Sequence, residues 1–289
     1  GLAGFCKLLL YIALVSRWRQ REAKIYMKDV IKLYKQPRPK SCSMLASWPG
    51  IGDVSLTAAK YLVEKLNAVE IGQIEPIHFF EPVGVTVKDN VVESPRFPES
   101  KFYYWQPRYN RDKGLVIFIG EEQPGFKGYE LVNCVLDVAQ RLRVARVYSC
   151  AAAVTRVHHS EEMKVWGAAT TSKLVDELNK YNVVLRGNLR IAGLNGLILG
   201  MAEERGMDGI CLLGEVPAYA TQIANPRASL AVLGILTKML GITIDLTELG
   251  RLAEQVDKEM DRIAKRVTAE FIDQFTEPIW EQDEDEEEE

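Results

Sequence analysis

The sequence predicts an α/β fold: a three-layer α/β/α sandwich around a mainly parallel sheet, with an added C-terminal helix. Three observations carry this. Apolar, β-like runs alternate with segments of helical periodicity through the middle of the chain. Two of those runs, residues 115–119 and 209–214, are apolar without alternation, as expected of strands covered on both faces. No linker or internal repeat divides residues 29–244, so one domain is the simplest account.

The elements follow in order. Residues 43–47 read as a short strand that stops at Trp48-Pro49-Gly50. Val54, Ala58, Tyr61, Leu62 and Leu66 then recur at helical spacing. Residues 71–80 are expected to form a strand, and residues 83–92 a hairpin turning at Lys88-Asp89-Asn90. Residues 101–110 are rich in aromatics: Phe102, Tyr103, Tyr104, Trp105 and Tyr109. That group fits a ligand-stacking surface, core or a subunit interface equally well. The strand at 115–119 ends at Gly120-Glu121-Glu122, and a helix using Leu131, Val135, Val138 and Leu142 follows. Strand-like residues 145–154 and Val165–Ala169 precede a helix over 172–181 and the β-branched residues 183–185. A glycine-rich turn and helix over 193–206 lead to the buried strand 209–214. The helix Pro226–Leu240 has proline at its start and Gly241 after its end.

Residues 245–275 differ. Leu249, Ala253, Val256, Met260, Ile263, Val267 and Phe271 step by alternating fours and threes, a heptad-like stripe. It reads either as a terminal helix packed on the domain or as a contact between subunits. On the second reading Leu249, Val256, Met260, Ile263 and Val267 are the interface.

Composition bounds the function. Of 289 residues, 47% are hydrophobic and 26% charged, which excludes wholesale disorder. The net charge of −4 is concentrated at the ends. Residues 281–289 hold eight acidic side chains, and are expected to be a disordered, solubilising tail. Residues 1–26 hold five basic side chains and one acidic. The body between is electrically balanced and offers no broad field for phosphate backbones, so nucleic acid is not an expected partner. Residues 2–15 are apolar except for Lys7, with Arg17, Arg19 and Arg21 behind them, the reverse of a signal peptide. The stretch is short for a membrane span, and no stable membrane insertion is expected. Residues 1–26 read as an extension: a weakly membrane-associated segment or, preferred here, sequence ahead of a start at Met27. The five cysteines are widely spaced and form no CxxC pair, which fits reduced thiols in the cytoplasm.

The sharpest local pattern is SWPGIGDVS, residues 47–55, between a strand and a helix. Gly50 and Gly52 permit a tight turn, and the helix start beyond them suits a small anion. The third glycine of GxGxxG is absent, with Ser55 in its place, and the GK[ST] of a phosphate-binding loop is missing. A structural turn, capped by Asp53 or Ser55, is the simpler reading. Glu121 and Gln123 follow one buried strand and Glu215 another, at the edge where parallel sheets bind ligands. The candidate ligand-binding residues are therefore Gly50, Gly52, Asp53, Glu121, Gln123 and Glu215. His158 and His159 with Glu161 and Glu162 lack the spacing of a metal motif and read as a surface loop. No metal ligands, cofactor or catalytic residues are assigned.

Taken in order, five stretches resemble the prokaryotic branch of the proteasome assembly chaperone 2 family. They are SWPGIGDVS (47–55), VIFIGEEQP (116–124), SCAAAVT (149–155), GLNGLILGMAEERGMDGICLLGEVPAY (193–219) and NPRASLAVLGILTKMLGITID (225–245). The resemblance covers roughly residues 40–252. It implies a phosphorylase/hydrolase-like α/β/α fold, a homo-oligomer and, for some relatives, a role in proteasome assembly. Some relatives end in a hydrophobic residue, tyrosine and a final residue, used for docking; residues 287–289 here are all glutamate.

Two expectations of function follow. The first is a non-catalytic, homo-oligomeric interaction protein whose partners are its own copies and proteasome-like subunits. The second is an enzyme or sensor that binds a small anionic or nucleoside-like ligand at the strand C-terminal edge, with Glu121 or Glu215 as polar groups.

Overall fold

The computed structural model describes residues 30–264, apart from 83 and 111. The predicted features at residues 1–26, 267–275 and 281–289 lie outside them.

Among the described residues ten strands form: β1 (Ile31–Leu33), β2 (Ser41–Ser47), β3 (Val69–Ile74), β4 (Val87–Lys88), β5 (Val91–Val92), β6 (Ser100–Trp105), β7 (Lys113–Gly120), β8 (Val144–Thr155), β9 (Val165–Ala169) and β10 (Asp208–Pro217). The α-helices among those residues are α1 (Val54–Leu66), α2 (Gly128–Arg141), α3 (Ser172–Leu178), α4 (Leu194–Glu204), α5 (Pro226–Leu240) and α6 (Thr247–Ala264). Eight strands make one sheet in the order β1-β3-β6-β7-β2-β8-β10-β9.

The expectation of a mainly parallel, phosphorylase/hydrolase-like sheet is corrected here. Only the central pairs β7–β2, β2–β8 and β8–β10 are parallel. The pairs β1–β3, β3–β6, β6–β7 and β9–β10 are antiparallel, so antiparallel pairs are the majority among the described residues. The reason lies in the connections. Parallel neighbours need a long crossover, usually a helix, whereas antiparallel neighbours can follow a short turn. The chain between β3 and β7 carries no α-helix among its described residues, so β3, β6 and β7 fold back on one another. The strand expected over 71–80 ends at Ile74, because Pro76 cannot donate to a ladder and starts a 3-10 turn instead. Residues 183–185 make a single bridge, Val184 to Trp166, rather than a strand.

The sheet's two faces divide the core. On β2, Met44 and Ala46 face one side and Leu45 the other; on β7, Val116 and Phe118 oppose Leu115 and Ile117. The first face is covered by α2 and α4 through Leu131, Val135, Val138, Ile198 and Ala202. The second is covered by α1, α3 and α5 through Ala58, Leu62, Leu174, Leu178, Val232 and Leu236. The aromatic segment belongs to this scheme: Phe102 of β6 is buried against Phe118, ring centroids 4.9 Å apart. The hairpin β4–β5 stands apart from the main sheet. Its turn uses Asp89 and Asn90 at positive φ, and Val85, Val87, Val91 and Val92 are exposed.

Helix α6 lies along α5. Leu249, Ala253 and Met260 are buried, and Val256 is half-buried. Three polar ties hold it: Lys65 to Glu248, Arg227 to Asp257, and His159 to Asp261. The described turns of the heptad-like stripe thus face this chain's own domain; the side chains of Ile263 and Val267 lie outside the described residues. No described helix is long and apolar enough to cross a membrane.

Candidate functional site

The loop after β2 is held by side chains from two other segments. Trp48 is buried against Phe118, with ring centroids 5.0 Å apart. Its backbone is gripped on both sides by Asn195 in the first turn of α4. Trp48 N–H donates to Asn195 Oδ1 at 3.0 Å, and Asn195 Nδ2 donates to the Trp48 carbonyl at 3.0 Å. Gln123, after β7, bridges the same two segments. Its Nε2 donates to the Pro49 carbonyl at 2.6 Å, and its Oε1 accepts from Leu194 N–H at 2.9 Å. Ser55 donates to Ser47 Oγ at 2.9 Å beside Asn195.

These braces hold open a cleft of about 520 Å³ at the C-terminal ends of β2 and β8. Gly50, Ile51 and Ser55 form one wall, and Arg190, Ile191 and Gly193 another, with Ala151, Ala152 and Val154 of β8 between them. The floor is accessible because β8 ends in small residues. Helices α1 and α4 both begin at its rim and turn their positive dipole ends toward it.

The predicted ligand residues separate into three places. Gly50 and Gln123 line the cleft. Gly52 is buried behind it at φ +62, a conformation L residues rarely adopt. A Cβ there would meet Asn225 at 3.2 Å and Val216 at 3.3 Å, and the Gly52 carbonyl accepts from Asn225 N–H at 2.7 Å. Asp53 precedes α1 in a left-handed conformation, and its side chain makes no capping bond; Ser55 bonds to Ser47 rather than capping.

The two carboxylates lie elsewhere and do not converge. Glu121 accepts from Glu99 N–H at 2.9 Å and faces Arg96, lining a small depression with Lys60, Lys101 and Tyr103. Glu215 is buried, and both oxygens are engaged: Oε1 with Trp166 Nε1–H and Oε2 with Lys164 N–H, each at 3.0 Å. It stitches β10 to the start of β9.

The histidine pair is not only a surface loop. His159 is buried between Tyr219 and Asp261, with Nδ1 2.7 Å from the tyrosine hydroxyl and Nε2 2.9 Å from the carboxylate. The His158 ring packs against it, centroids 4.2 Å apart and planes tilted by 39°. No local signal pointed to this arrangement, because Asp261 is 102 residues away. Asn195 was missed likewise, although the glycine turn before it is visible in the sequence. Among the described residues the thiols offer no nucleophile. Burial pushes Cys134 and Cys211 up to about 12 and Cys42 up to about 11, and raises Cys150 well above the ordinary value.

Residues 44–264, most of the chain and the whole cleft, match the model of the PAC2 family. The chain belongs to the PAC2 family. Among solved structures, this PAC2 chain is similar to Pyrococcus furiosus PbaB, described as an archaeal proteasome activator. The two are 28% identical, with 81% of this chain and 98% of that chain covered and a TM-score of 0.69. It also shares the fold of Pyrococcus furiosus PbaA, an archaeal homolog of proteasome-assembly chaperone. There the identity is 23%, the coverage 82% and 92%, and the TM-score 0.63. The uncharacterized protein MJ1210 of Methanocaldococcus jannaschii is 27% identical over 244 residues, 83% of this chain and 90% of its own. The likeness is therefore to the PAC2 fold, with its mixed sheet. In this PAC2 member every brace of the cleft falls inside the matched region.

Proposed function

We propose that this chain is a non-catalytic, self-associating PAC2 protein that acts with a proteasome core particle in the cytoplasm. The likeness to PbaB carries the reading, because it spans nearly that whole chain at 28% identity. The site chemistry supports it. Glu121 and Glu215 are committed to separate structural bonds, so the acid–base enzyme that would use both loses its residues. The four described thiols are buried and held protonated, as suits a reducing compartment.

The test is a native pulldown with the tagged full-length chain, read by mass spectrometry, alongside light scattering of the purified protein. Proteasome α or β subunits in the eluate, and a mass of at least twice the 32.6 kDa of one chain, are expected. Recovery of the bait alone, with those subunits abundant in the input, sinks the partner assignment. A monomeric mass at micromolar concentration sinks self-association.

A further inference from the structure

The cleft between the β2 loop and the start of α4 has a chemistry of its own, independent of any protein partner. We propose that it binds a small organic monoanion: a compact, mostly apolar body bearing one carboxylate that pairs with Arg190.

Size comes first. A volume of about 520 Å³ lies within the range of small-molecule sites, which runs from about 300 to 1,000 Å³. The walls then set the body. Ile51, Val154 and Ile191 line it together with Ala151 and Ala152. The two alanines and Val154 are only half-buried, although they sit on a strand at the centre of the sheet. The described residues leave this apolar surface uncovered, and an apolar ligand body covers it with gain.

Charge sets the head. Of the described lining residues, Arg190 alone is charged, and it is exposed at the rim. A guanidinium pairs with a carboxylate in a fork of two hydrogen bonds. A single guanidinium matches one carboxylate and falls short of a nucleoside di- or triphosphate. The amides that frame the cleft are already spent. Gln123 and Asn195 bond to backbone on both sides, so they fix its shape before any ligand arrives. A preformed site loses less on binding.

The experiment is a thermal-shift titration of the full-length protein with three probes. Indole-3-acetate carries body and carboxylate; its alcohol, tryptophol, carries the body alone; acetate carries the carboxylate alone. Two variants accompany it. Gly50 has an extended backbone, φ −168 and ψ −171, and a Cβ there would have its nearest neighbour at an ordinary 3.6 Å. Gly50→Leu is therefore expected to fold normally and to fill the cleft. Arg190→Gln removes only an exposed charge. The expected result is a saturable rise in Tm with indole-3-acetate that neither fragment reproduces. Arg190→Gln weakens it about tenfold, and Gly50→Leu abolishes it at unchanged unliganded Tm. No saturable shift with indole-3-acetate, 3-phenylpropionate and hexanoate alike overturns the proposal. So does an equal shift from tryptophol, or binding that both variants leave unchanged.

Discussion

Asn195 does for Trp48 what a neighbouring strand would do: it offers one acceptor and one donor to the same residue's backbone, inside the core. Asn195→Ala leaves the N–H and C=O of a buried residue without partners, at a cost of about 1–3 kcal/mol for each such group. Urea denaturation is expected to show a loss of about 2–6 kcal/mol on that basis. A loss below about 1 kcal/mol would mean that water or another group replaces the amide. Glu215 gives a second prediction. Both its oxygens accept, so Glu215→Gln turns a donor toward Lys164 N–H or the Trp166 indole N–H. It should destabilise by about 1–3 kcal/mol, checked by the same measurement. An unchanged midpoint would mean that the amide finds other partners. The turn chemistry around Gly50 and Gly52 was legible because glycine leaves a local mark. The roles of Asn195 and Glu215 were not, because polar side chains buried by distant segments look like surface residues until the partners are placed.

At the scale of elements, periodicity located the long helices and the buried strands, where one face or both faces of many residues agree. Between β3 and β7 it found the β4–β5 hairpin but not the antiparallel pairing of β3, β6 and β7. There the strands are short, one is aromatic, and direction depends on the connection rather than on the strand itself. Helix α6 shows the same limit: the stripe Leu249, Ala253, Met260 is visible in sequence, but not the surface it meets. The start of α6 carries a pH prediction. Asp245 Oδ1 accepts from the Thr247 hydroxyl at 2.6 Å and from Thr247 N–H at 2.9 Å. The side-chain bond first, then the backbone bond, holds this carboxyl below the ordinary aspartate value of 3.8. A folded pKa below the unfolded one means that the stabilisation is complete above about pH 3.8 and is lost as pH falls through the lower folded value. Hydrogen exchange in the first turn of α6 should therefore quicken on acidification. Asp245→Asn, which keeps an acceptor but does not titrate there, should flatten that response. An identical acid response in both proteins would place the titration in another group.

For the whole molecule, the two helical layers seal four thiols around one sheet. Cys42, Cys150 and Cys211 lie on β2, β8 and β10, and Cys134 on α2 beneath them. All four are buried. Their labelling by a thiol reagent should need global unfolding. The four rates should coincide and rise together at the denaturant midpoint. One thiol reacting early would mark a locally opening segment. Balanced charge and ordinary composition indicated such a body from the sequence. Sequence could not indicate how the layers are wired, because three parallel pairs join segments far apart in the chain.

That wiring has a consequence for synthesis. Strand β2 leaves the ribosome well before its partners β7 and β8, which begin only at Lys113 and Val144. At roughly 5–20 residues per second, several seconds pass before the nascent β2 can be flanked on both sides. Through that interval Met44, Leu45 and Ala46 travel as an unpaired apolar edge, the kind of surface that invites pairing between neighbouring chains on one message.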